Sequence, residues 1–308
     1  MKKDSKLGFS LIEISVVILI IGILIAAINT GTDLVKKSKT ASAQNLTSNS
    51  PIYGMENLVL WFESSLPDSF YNEGDPIDLW SNNSPFYNIG SAVQETVANR
   101  PKYMKDSINH TPAVLFDDDT QFLEIKNIGN TLEESDLTIF ILEERDADDN
   151  TKKSLISTSG TSGTSGLEIY YAAGTNALTI EDESGTAATA AFAEAAPALH
   201  YFSLNGGNNF SIDDSSPKTI LLAGFNYYLN KRLPENGSMP AVTLKIDVAG
   251  DVRYNTGSMG TITIGAATDS YLGAISEILI FNRKLRQREL IDIFDYFEAK
   301  YNLSLSST

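Results

Sequence analysis

The sequence contains no cysteine, and only two of its 308 residues are histidine, His110 and His200. The absence of cysteine excludes disulfide bonds, thiol catalysis and cysteine-ligated metal sites. The two histidines lie far apart in the chain, and neither has a serine and aspartate constellation beside it that would indicate a catalytic triad. The usual sequence signals of an enzyme are therefore missing.

Basic residues are also scarce, because 23 Lys and Arg stand against 39 Asp and Glu and give a formal net charge of −16. Nucleic-acid binding depends on Lys and Arg contacts with phosphates, so we expect no nucleic-acid partner. Hydrophobic residues make up 42% of the chain, which is enough to build a large core.

A long apolar run occurs at the N-terminus, from Phe9 to Ile28, and its only ionisable residue is Glu13. As a helix this run is about 30 Å long, which is enough to cross the hydrocarbon core of a bilayer. A basic head with Lys2, Lys3 and Lys6 precedes it. The sequence beyond it turns polar but keeps helix formers, so we predict one helix over residues 9–46.

Two ordinary explanations of this segment stay open. The first is a secretory signal peptide cleaved after Ala41-Ser42-Ala43, although this site lies far beyond the apolar run and several charged residues intervene. The second is an uncleaved membrane anchor, which explains the hydrophobicity but neither the Gly8-Phe9 junction nor Glu13. Placing a carboxylate within a bilayer costs free energy, so such a residue usually has a partner and a function.

The residues G-F-S-L-I-E, numbers 8–13, resemble the type III signal of the type IV prepilin family. The resemblance implies that residues 1–8 are a leader, that a prepilin peptidase cuts after Gly8, and that the new N-terminal Phe9 is methylated. It further implies that Glu13 pairs with the Phe9 amine of a neighbouring subunit during assembly. The prepilin would be held in the bacterial inner membrane, and the assembled product would be an extracellular pilus or a periplasmic pseudopilus.

The sequence departs from the pilin pattern in the helix. Gly22 stands where the family commonly has a glycine, but Thr30, next to Gly31, replaces the proline that usually follows. Any loosening of the helix in a filament would therefore depend on the flexibility of Gly22 and Gly31. The disulfide of many pilin heads is excluded, so we expect an unusual head.

Residues 47–54 have the Ser, Asn, Pro and Gly content of a linker, and the head is predicted at 55–303, followed by a short tail at 304–308. Short β-type runs separated by turns predict a single β-sandwich. The predicted strands are Leu58–Phe62, Ala113–Phe116, Phe122–Ile125, Leu137–Leu142, Leu155–Thr158, Leu167–Tyr171, Leu178–Ile180, Tyr201–Leu204, Thr219–Gly224, Ala241–Val248, Thr261–Gly265 and Ala274–Phe281. We predict loops at 159–166 and 186–198, and an amphipathic helix over Arg286–Leu303.

Several segments of the head occur in the order and character of bacterial laminin-G-like, concanavalin A-like modules. They are LVLWFESSLPDSF (58–70), GDPIDLWSNNSP (74–85), the stretch 100–125, LTIFILEE (137–144) and the stretch 271–303. The resemblance is one of pattern rather than of a catalytic motif. It implies a two-sheet jelly roll whose first and last strands pair and which is closed by the C-terminal helix.

Acidic residues of the head offer two kinds of chemistry, sugar hydrolysis and calcium binding. A glycoside hydrolase needs two carboxylates on one face, and Glu181 and Glu183 are the candidates, although a solvated hairpin tip is the better explanation of both. Calcium needs several oxygen ligands, and the acidic turns at Asp117–Asp119 and Asp213-Asp214 could supply some of them. Neither turn has the residue spacing of a defined calcium-binding motif. We therefore predict no cofactor and no catalytic residue.

Glycan recognition would need exposed aromatic residues flanked by amides. Trp61 and Trp80 lie in framework segments and are predicted to be core residues. The pairs Tyr170-Tyr171 and Tyr227-Tyr228, the latter near Asn226 and Asn230, are better candidates, and strand alternation would expose one tyrosine of each pair.

Together these patterns predict a type IV pilin-like filament subunit, minor or adhesive, whose head binds a glycan or a surface protein. Its partners would be other pilin subunits and the prepilin peptidase. A type II secretion pseudopilin and a membrane-tethered carbohydrate-active enzyme are the alternatives.

Overall fold

In the computed structural model the chain forms one long N-terminal helix, two antiparallel β-sheets packed face to face, and a second helix near the C-terminus. The structure describes residues 11–66, 71–87, 90–126, 128, 132, 137–146, 151–159, 165–174, 178–181, 187–190, 197–208, 219–229, 231–232, 253–255, 261–266, 269–303 and 306–307.

Helix α1 covers Leu11–Ser48 and is followed by a short 3₁₀ helix, Pro51–Gly54. Helix α2 covers Gln287–Tyr301. The strands are β1 (Leu58–Glu63), β2 (Leu79–Trp80), β3 (Ala92–Val93), β4 (Lys102–Met104), β5 (Ala113–Phe116), β6 (Phe122–Lys126), β7 (Leu137–Arg145), β8 (Lys153–Ser159), β9 (Ser165–Tyr171), β10 (Leu178–Glu181), β11 (Ala187–Ala190), β12 (Ala198–Asn208), β13 (Thr219–Leu229), β14 (Lys231–Arg232), β15 (Arg253–Asn255), β16 (Thr261–Gly265), β17 (Gly273–Phe281) and β18 (Ser306–Ser307).

Each sheet has eight of the described strands. The first runs in the order β15–β13–β12–β7–β17–β5–β4, with β1 also paired to β17. The second runs in the order β11–β10–β9–β8–β16–β6–β3–β2. Strands β14 and β18 form a separate parallel pair of two residues each.

Strand β17 organises the first sheet. It pairs antiparallel with β7 along almost its whole length, from Gly273 opposite Arg145 to Phe281 opposite Thr138. On its other edge it pairs with β5 at one end and with β1 at the other, where Trp61 lies opposite Leu279. The pairing of β1 with β17 joins the first strand of the sandwich to the last of its long strands.

Side-chain alternation in the first sheet creates two cores, because the sheet is covered on both faces. In β7, Ile139 and Ile141 point into the core between the sheets, and Phe140 and Leu142 point to the opposite face. Helix α2 covers this opposite face, and its Phe294 packs edge-on against Phe140 with ring centroids 5.7 Å apart. The run of buried residues in β7 and β17 follows from this double covering.

Helix α2 begins and ends with clear local signals. The Glu289 side chain accepts the backbone N–H of Arg286 at 2.8 Å, which satisfies one donor at the start of the helix. Asn302 has φ of 50° and ψ of 46°, the left-handed conformation that commonly ends a helix. Its buried residues recur three and four positions apart, as the amphipathic pattern predicts.

The predicted fold class is confirmed: an N-terminal apolar helix, an antiparallel β-sandwich and a C-terminal amphipathic helix. The predicted strands that fall on described residues are all present, most of them one to several residues longer than predicted. The predicted strand Ala241–Val248 lies outside the described residues. The alanine-rich stretch 186–198 differs from prediction, because β11 forms there and pairs with β10.

Residues 47–54, which the sequence predicts to be a linker, contact the head in the structure. Thr47 lies in the last turn of α1 and is buried, and Ile52 of the following 3₁₀ helix is buried in the core under α2. The Ser50 side chain accepts the Ile52 backbone N–H at 3.1 Å and begins the 3₁₀ helix. The segment that looks polar in sequence is therefore packed against the head. The division of the whole chain into leader, helix, linker, head and tail stays a prediction.

Candidate functional site

The first candidate site is the apolar surface of α1. Fifteen large hydrophobic side chains between Leu11 and Val35 are exposed, among them Leu11 with 85% of its surface accessible. The helix is long and apolar enough to cross a membrane, and none of its most apolar window is buried against the rest of the described chain. Burying one such side chain contributes about 1.5–3 kcal/mol, so this surface requires a lipid or protein environment.

The predicted assembly residues lie on this helix where the structure describes them. Glu13 is in the first turn of α1 and is exposed. Gly22 and Gly31 lie within an unbroken helix, and a side chain added at either would have no atom within 4 Å. The space around both glycines is open to a neighbouring molecule. Gly8 and Phe9 lie outside the described residues.

The C-terminal part of α1 is fixed to the head. Ala43 and Thr47 are buried, and the Thr47 hydroxyl oxygen lies 3.2 Å from that of Tyr296 in α2. Nearer the membrane segment, the Lys36 ammonium lies 2.7 Å from the carboxylate of Asp106. The hydrogen bond from Lys36 is the largest cause of a pKa of Asp106 below its usual value. These contacts attach the C-terminal part of α1 to the head.

A buried cluster of charged groups lies directly beneath this junction. Lys300 of α2 contacts Oε1 of Glu63, and its Nζ lies 2.9 Å from Oε2 of Glu277. The side chains of all three residues have no exposed surface. Two carboxylates thus share one ammonium group, and burial raises the pKa of Glu277. We name these three residues the carboxylate–lysine cluster.

A cleft of about 850 Å³ separates the polar part of α1 from the head. Lysines and acids line it in equal number: Lys36, Lys37, Lys105, Asp33, Glu73 and Asp106. Tyr71 and Tyr103 form part of its wall, and burial raises the pKa of Tyr103 to about 12. The balanced charge gives this cleft no preference for an anion or a cation.

The candidate carboxylate pair for sugar hydrolysis is only partly described. Glu181 ends β10, and its Oε2 accepts a hydrogen bond of 2.5 Å from the Tyr170 hydroxyl. Glu183 lies outside the described residues. The pair therefore stays part of the alternative hypothesis of an enzyme, and the Tyr170 hydroxyl already occupies one oxygen of Glu181.

The candidate calcium ligands at Asp117–Asp119 are engaged in local contacts. Asp117 contacts Lys102 and accepts a hydrogen bond of 2.9 Å from the side-chain amide of Gln121. Asp118 accepts a hydrogen bond of 2.9 Å from the backbone N–H of Thr120. Within the described ranges there is no group of three or more acidic or histidine side chains that could hold a metal ion. Asp213 and Asp214 lie outside them.

The aromatic residues are placed as alternation predicts. Trp61 and Trp80 are buried, as expected for core residues. Tyr171 is buried and Tyr170 is half-buried on the opposite face of β9. The side chains of Tyr227 and Tyr228 lie outside the described part of the chain. Lys152 lies over the Tyr170 ring at 4.2 Å and pairs with Glu168 at 2.8 Å.

His110 and His200 have different surroundings. His110 is in a turn, as predicted, and its Nδ1 lies 2.8 Å from Asp106. His200 is fully buried, and its Nε2 lies 2.8 Å from Oε1 of Glu143. Tyr171 also donates to that oxygen at 2.6 Å, and Tyr271 donates to the other oxygen of Glu143. The sequence alone does not bring His200 together with Glu143 and Tyr171, because the three residues come from different strands.

Sequence reasoning also missed the carboxylate–lysine cluster, although signals were present. Glu277 is a single acid within the apolar run AISEILIF, and Glu63 ends the apolar run LVLWFE. Lys300 lies four residues after Tyr296 and therefore on the buried face of α2. A charge at a core position of an element predicts an opposite charge inside the fold.

The comparisons with known proteins bear on the N-terminus. Residues 3–29 match the family model described as the prokaryotic N-terminal methylation motif. No curated protein matches the chain. The matched segment contains Gly8, Phe9, Glu13 and Gly22.

Solved structures resemble the chain only distantly. Trypanosoma rangeli sialidase in complex with sialic acid has 12% identity and a TM-score of 0.47, over 86% of this chain and 39% of the sialidase. The binding domain of Paraclostridial Mosquitocidal Protein 1 has 13% identity and a TM-score of 0.45, over 79% of this chain and 53% of that domain. The binding domain of botulinum neurotoxin DC in complex with rat synaptotagmin II has 14% identity and a TM-score of 0.40, over 78% of this chain and 51% of that domain.

The chain spans about two fifths of the sialidase and about half of each toxin domain. At these TM-scores the likenesses carry no argument about function. The motif at residues 3–29 and the exposed apolar helix that contains most of it give this chain the N-terminus of a prepilin, the type shared by type IV pilins and pseudopilins.

Proposed function

We propose that this protein is a type IV pilin-like filament subunit that carries a large β-sandwich head. The observation that supports this most directly is the combination of a methylation motif with an apolar helix surface that the described head leaves exposed. In the membrane, lipid covers this surface. In a filament, the same surfaces of neighbouring subunits cover one another.

The proposal assigns roles to five residues of the N-terminal segment. The prepilin peptidase cuts after Gly8, and the amine of Phe9 becomes the methylated N-terminus. Glu13 then sets the stagger of neighbouring subunits, because a buried carboxylate favours the arrangement that brings it next to the Phe9 amine of another subunit. Gly22 and Gly31 lie on open stretches of the helix, which supports a role in close packing between subunits or in bending of α1.

The head would be displayed on the outside of the filament. The polar contacts of Thr47 with Tyr296 and of Lys36 with Asp106 support a fixed orientation of the sandwich on its helix. The resemblance to laminin-G-like modules supports adhesion, in which the head binds a glycan or a surface protein. This part of the proposal rests on analogy of fold.

The first experiment is intact mass and N-terminal sequencing of the protein from two fractions, sheared surface filaments and membranes. The proposal predicts a chain that begins at N-methylated Phe9 in the sheared fraction. The same start found only in membranes would favour a secretion pseudopilin. A start at Met1 or at Gln44 would overturn the proposal.

Two glycine variants sharpen this test. Gly8→Val should leave the leader attached, because the peptidase cleaves after this residue. Gly22→Ala serves as the matched control on the same segment and should be processed normally. Loss of processing in both variants would indicate misfolded or unstable protein rather than a blocked cleavage site.

A further inference from the structure

The carboxylate–lysine cluster joins three elements that are distant in the chain. Glu63 ends β1, Glu277 lies in the middle of β17, and Lys300 lies in the last turn of α2. Lys300 contacts Oε1 of Glu63, and its Nζ is 2.9 Å from Glu277. An amine, a carboxyl carbon beside it and a second carboxylate within reach are the groups that amide formation needs.

The surroundings of the cluster exclude water. All three side chains have no exposed surface. The ring centroids of Tyr296 and Tyr301 lie 5.2 Å and 4.9 Å from the Lys300 Nζ. Thr47 of α1 closes the site from the side of the apolar helix through its contact with Tyr296.

The hydrogen bonds divide the two carboxylates into different environments. Glu63 accepts the backbone N–H groups of Ser65 and Leu66, each at 2.8 Å, one on each oxygen. Glu277 accepts Trp61 Nε1 at 2.7 Å and the Tyr301 hydroxyl at 2.7 Å. Each oxygen of Glu63 therefore has one backbone N–H group beside it, which can stabilise negative charge that develops on that oxygen.

We propose that Lys300 and Glu63 condense within the folded protein to form an isopeptide bond, with Glu277 as the proton carrier. Glu277 takes one proton from the Lys300 ammonium, and the neutral Nζ attacks Cδ of Glu63. The N–H groups of Ser65 and Leu66 stabilise the tetrahedral intermediate. Glu277 returns the proton to the departing oxygen, which leaves as water with a second proton from Nζ. An ammonium and a carboxylate become one amide and one water molecule, with no change in net charge and no oxidant.

Two physical effects favour this reaction here. Holding the amine against the carboxyl group replaces a bimolecular encounter and is equivalent to an effective concentration of up to about 10⁵–10⁸ M. The amide also removes a buried ammonium and a buried carboxylate, each of which carries a desolvation cost in the interior. Exclusion of water prevents the reverse reaction once the released molecule has left.

The bond would give this cysteine-free protein a covalent link. It would connect β1, which follows α1 in the chain, to the C-terminal helix that covers the sheet. Tension applied through α1 would then reach α2 through a covalent bond as well as through packing. This inference concerns the head alone and is tested independently of filament assembly.

The test is mass spectrometry of the full-length protein purified from cells in detergent, before and after proteolysis. The expected result is a mass one water molecule below that of the same chain without the bond. A branched peptide that links the segments containing Glu63 and Lys300 should be found. Peptide mapping separates this loss from changes at the N-terminus. Unlinked peptides containing unmodified Glu63 and Lys300 would overturn the proposal, and so would a water loss located elsewhere.

Variants test the assigned roles. Lys300→Arg keeps the positive charge but should show no water loss, and Glu277→Gln should reduce the linked fraction at least tenfold because it cannot carry the proton. Lys152 and Glu168, which pair at 2.8 Å and are partly exposed, are the internal control and should stay unlinked. A linked peptide that survives in Lys300→Arg would contradict the assignment of the nucleophile.

Discussion

The hydroxyl oxygens of Thr47 and Tyr296 lie 3.2 Å apart, in a buried contact between the end of the N-terminal helix and the C-terminal helix. The two residues are separated by 249 positions in the sequence. Thr47 also donates to the Ala43 carbonyl at 2.9 Å, so its hydroxyl serves both its own helix and the contact with the head. This buried polar contact therefore joins the end of α1 to the helix that covers the first sheet.

Thr47→Val should loosen this junction. The substitution keeps the shape of the side chain but removes a buried hydroxyl, and we expect a loss of about 1–2 kcal/mol in the free energy of unfolding. Urea unfolding followed by fluorescence of the buried Trp61 and Trp80 would measure it. Thr40→Val is the control, because Thr40 makes a similar bond within the helix to Lys36 but lies in the open cleft. Equal losses in both variants would contradict the role of the buried contact.

The ion pair between Lys36 and Asp106 should make the junction sensitive to acid. The pKa of Asp106 is lowered in the folded protein, with the hydrogen bond from Lys36 as the main cause. Its contribution is therefore fully present above the ordinary Asp pKa of about 4 and is lost as the pH falls through the lowered value. As a surface pair it contributes at most about 1 kcal/mol.

The free energy of unfolding of the protein and of its Asp106→Asn variant, measured across this pH range, would test whether the ion pair loses its stabilising contribution in acid. We would use a His110→Gln background, because His110 also contacts Asp106. The two proteins should differ in stability at neutral pH and converge in acid. A difference that grows on acidification would contradict the prediction.

Glu13→Val should leave membrane insertion intact and abolish assembly. The substitution makes the apolar helix still more hydrophobic, so insertion is favoured, but it removes the carboxylate that we assign to the contact between subunits. Membrane fractionation and the yield of sheared filaments would measure the two steps. Asp33→Asn is the matched control, since it removes an acid from α1 beyond the apolar run. Normal filaments from Glu13→Val would contradict the role of Glu13.

Tyr171→Phe and Tyr170→Phe should have very different effects although the residues are adjacent. Tyr171 is buried, and its hydroxyl donates to the buried Glu143 at 2.6 Å, so its removal leaves a buried carboxylate with one donor fewer. We expect a loss of about 1–3 kcal/mol. Tyr170 donates to Glu181 on a partly exposed face, where water can replace the hydroxyl, and we expect a loss below about 1 kcal/mol. Chemical denaturation would measure both, and equal losses would contradict the inferred difference in burial.

The local pattern of the sequence was sufficient for the two helices and most of the longer strands, and for the faces that these elements bury. An apolar run beginning at Phe9 predicts a long helix, the short apolar run LTIFIL predicts a buried strand, and the spacing of Leu290, Phe294 and Tyr301 predicts the face of α2. The prepilin resemblance also required only the residues from Gly8 to Glu13. These features depend on neighbours within a few positions.

Only the tertiary structure decided which distant charges meet. Glu63 and Lys300 are 237 positions apart, and they come together because β1 pairs with β17 and α2 lies across that sheet. His200 meets Glu143 because β12 pairs with β7. Periodicity determines the face on which a side chain lies, but it does not determine the neighbour of a strand. The order of the strands therefore created both buried polar clusters. Packing against α2 buries Thr47 and Ile52, which look like parts of a polar linker in the sequence.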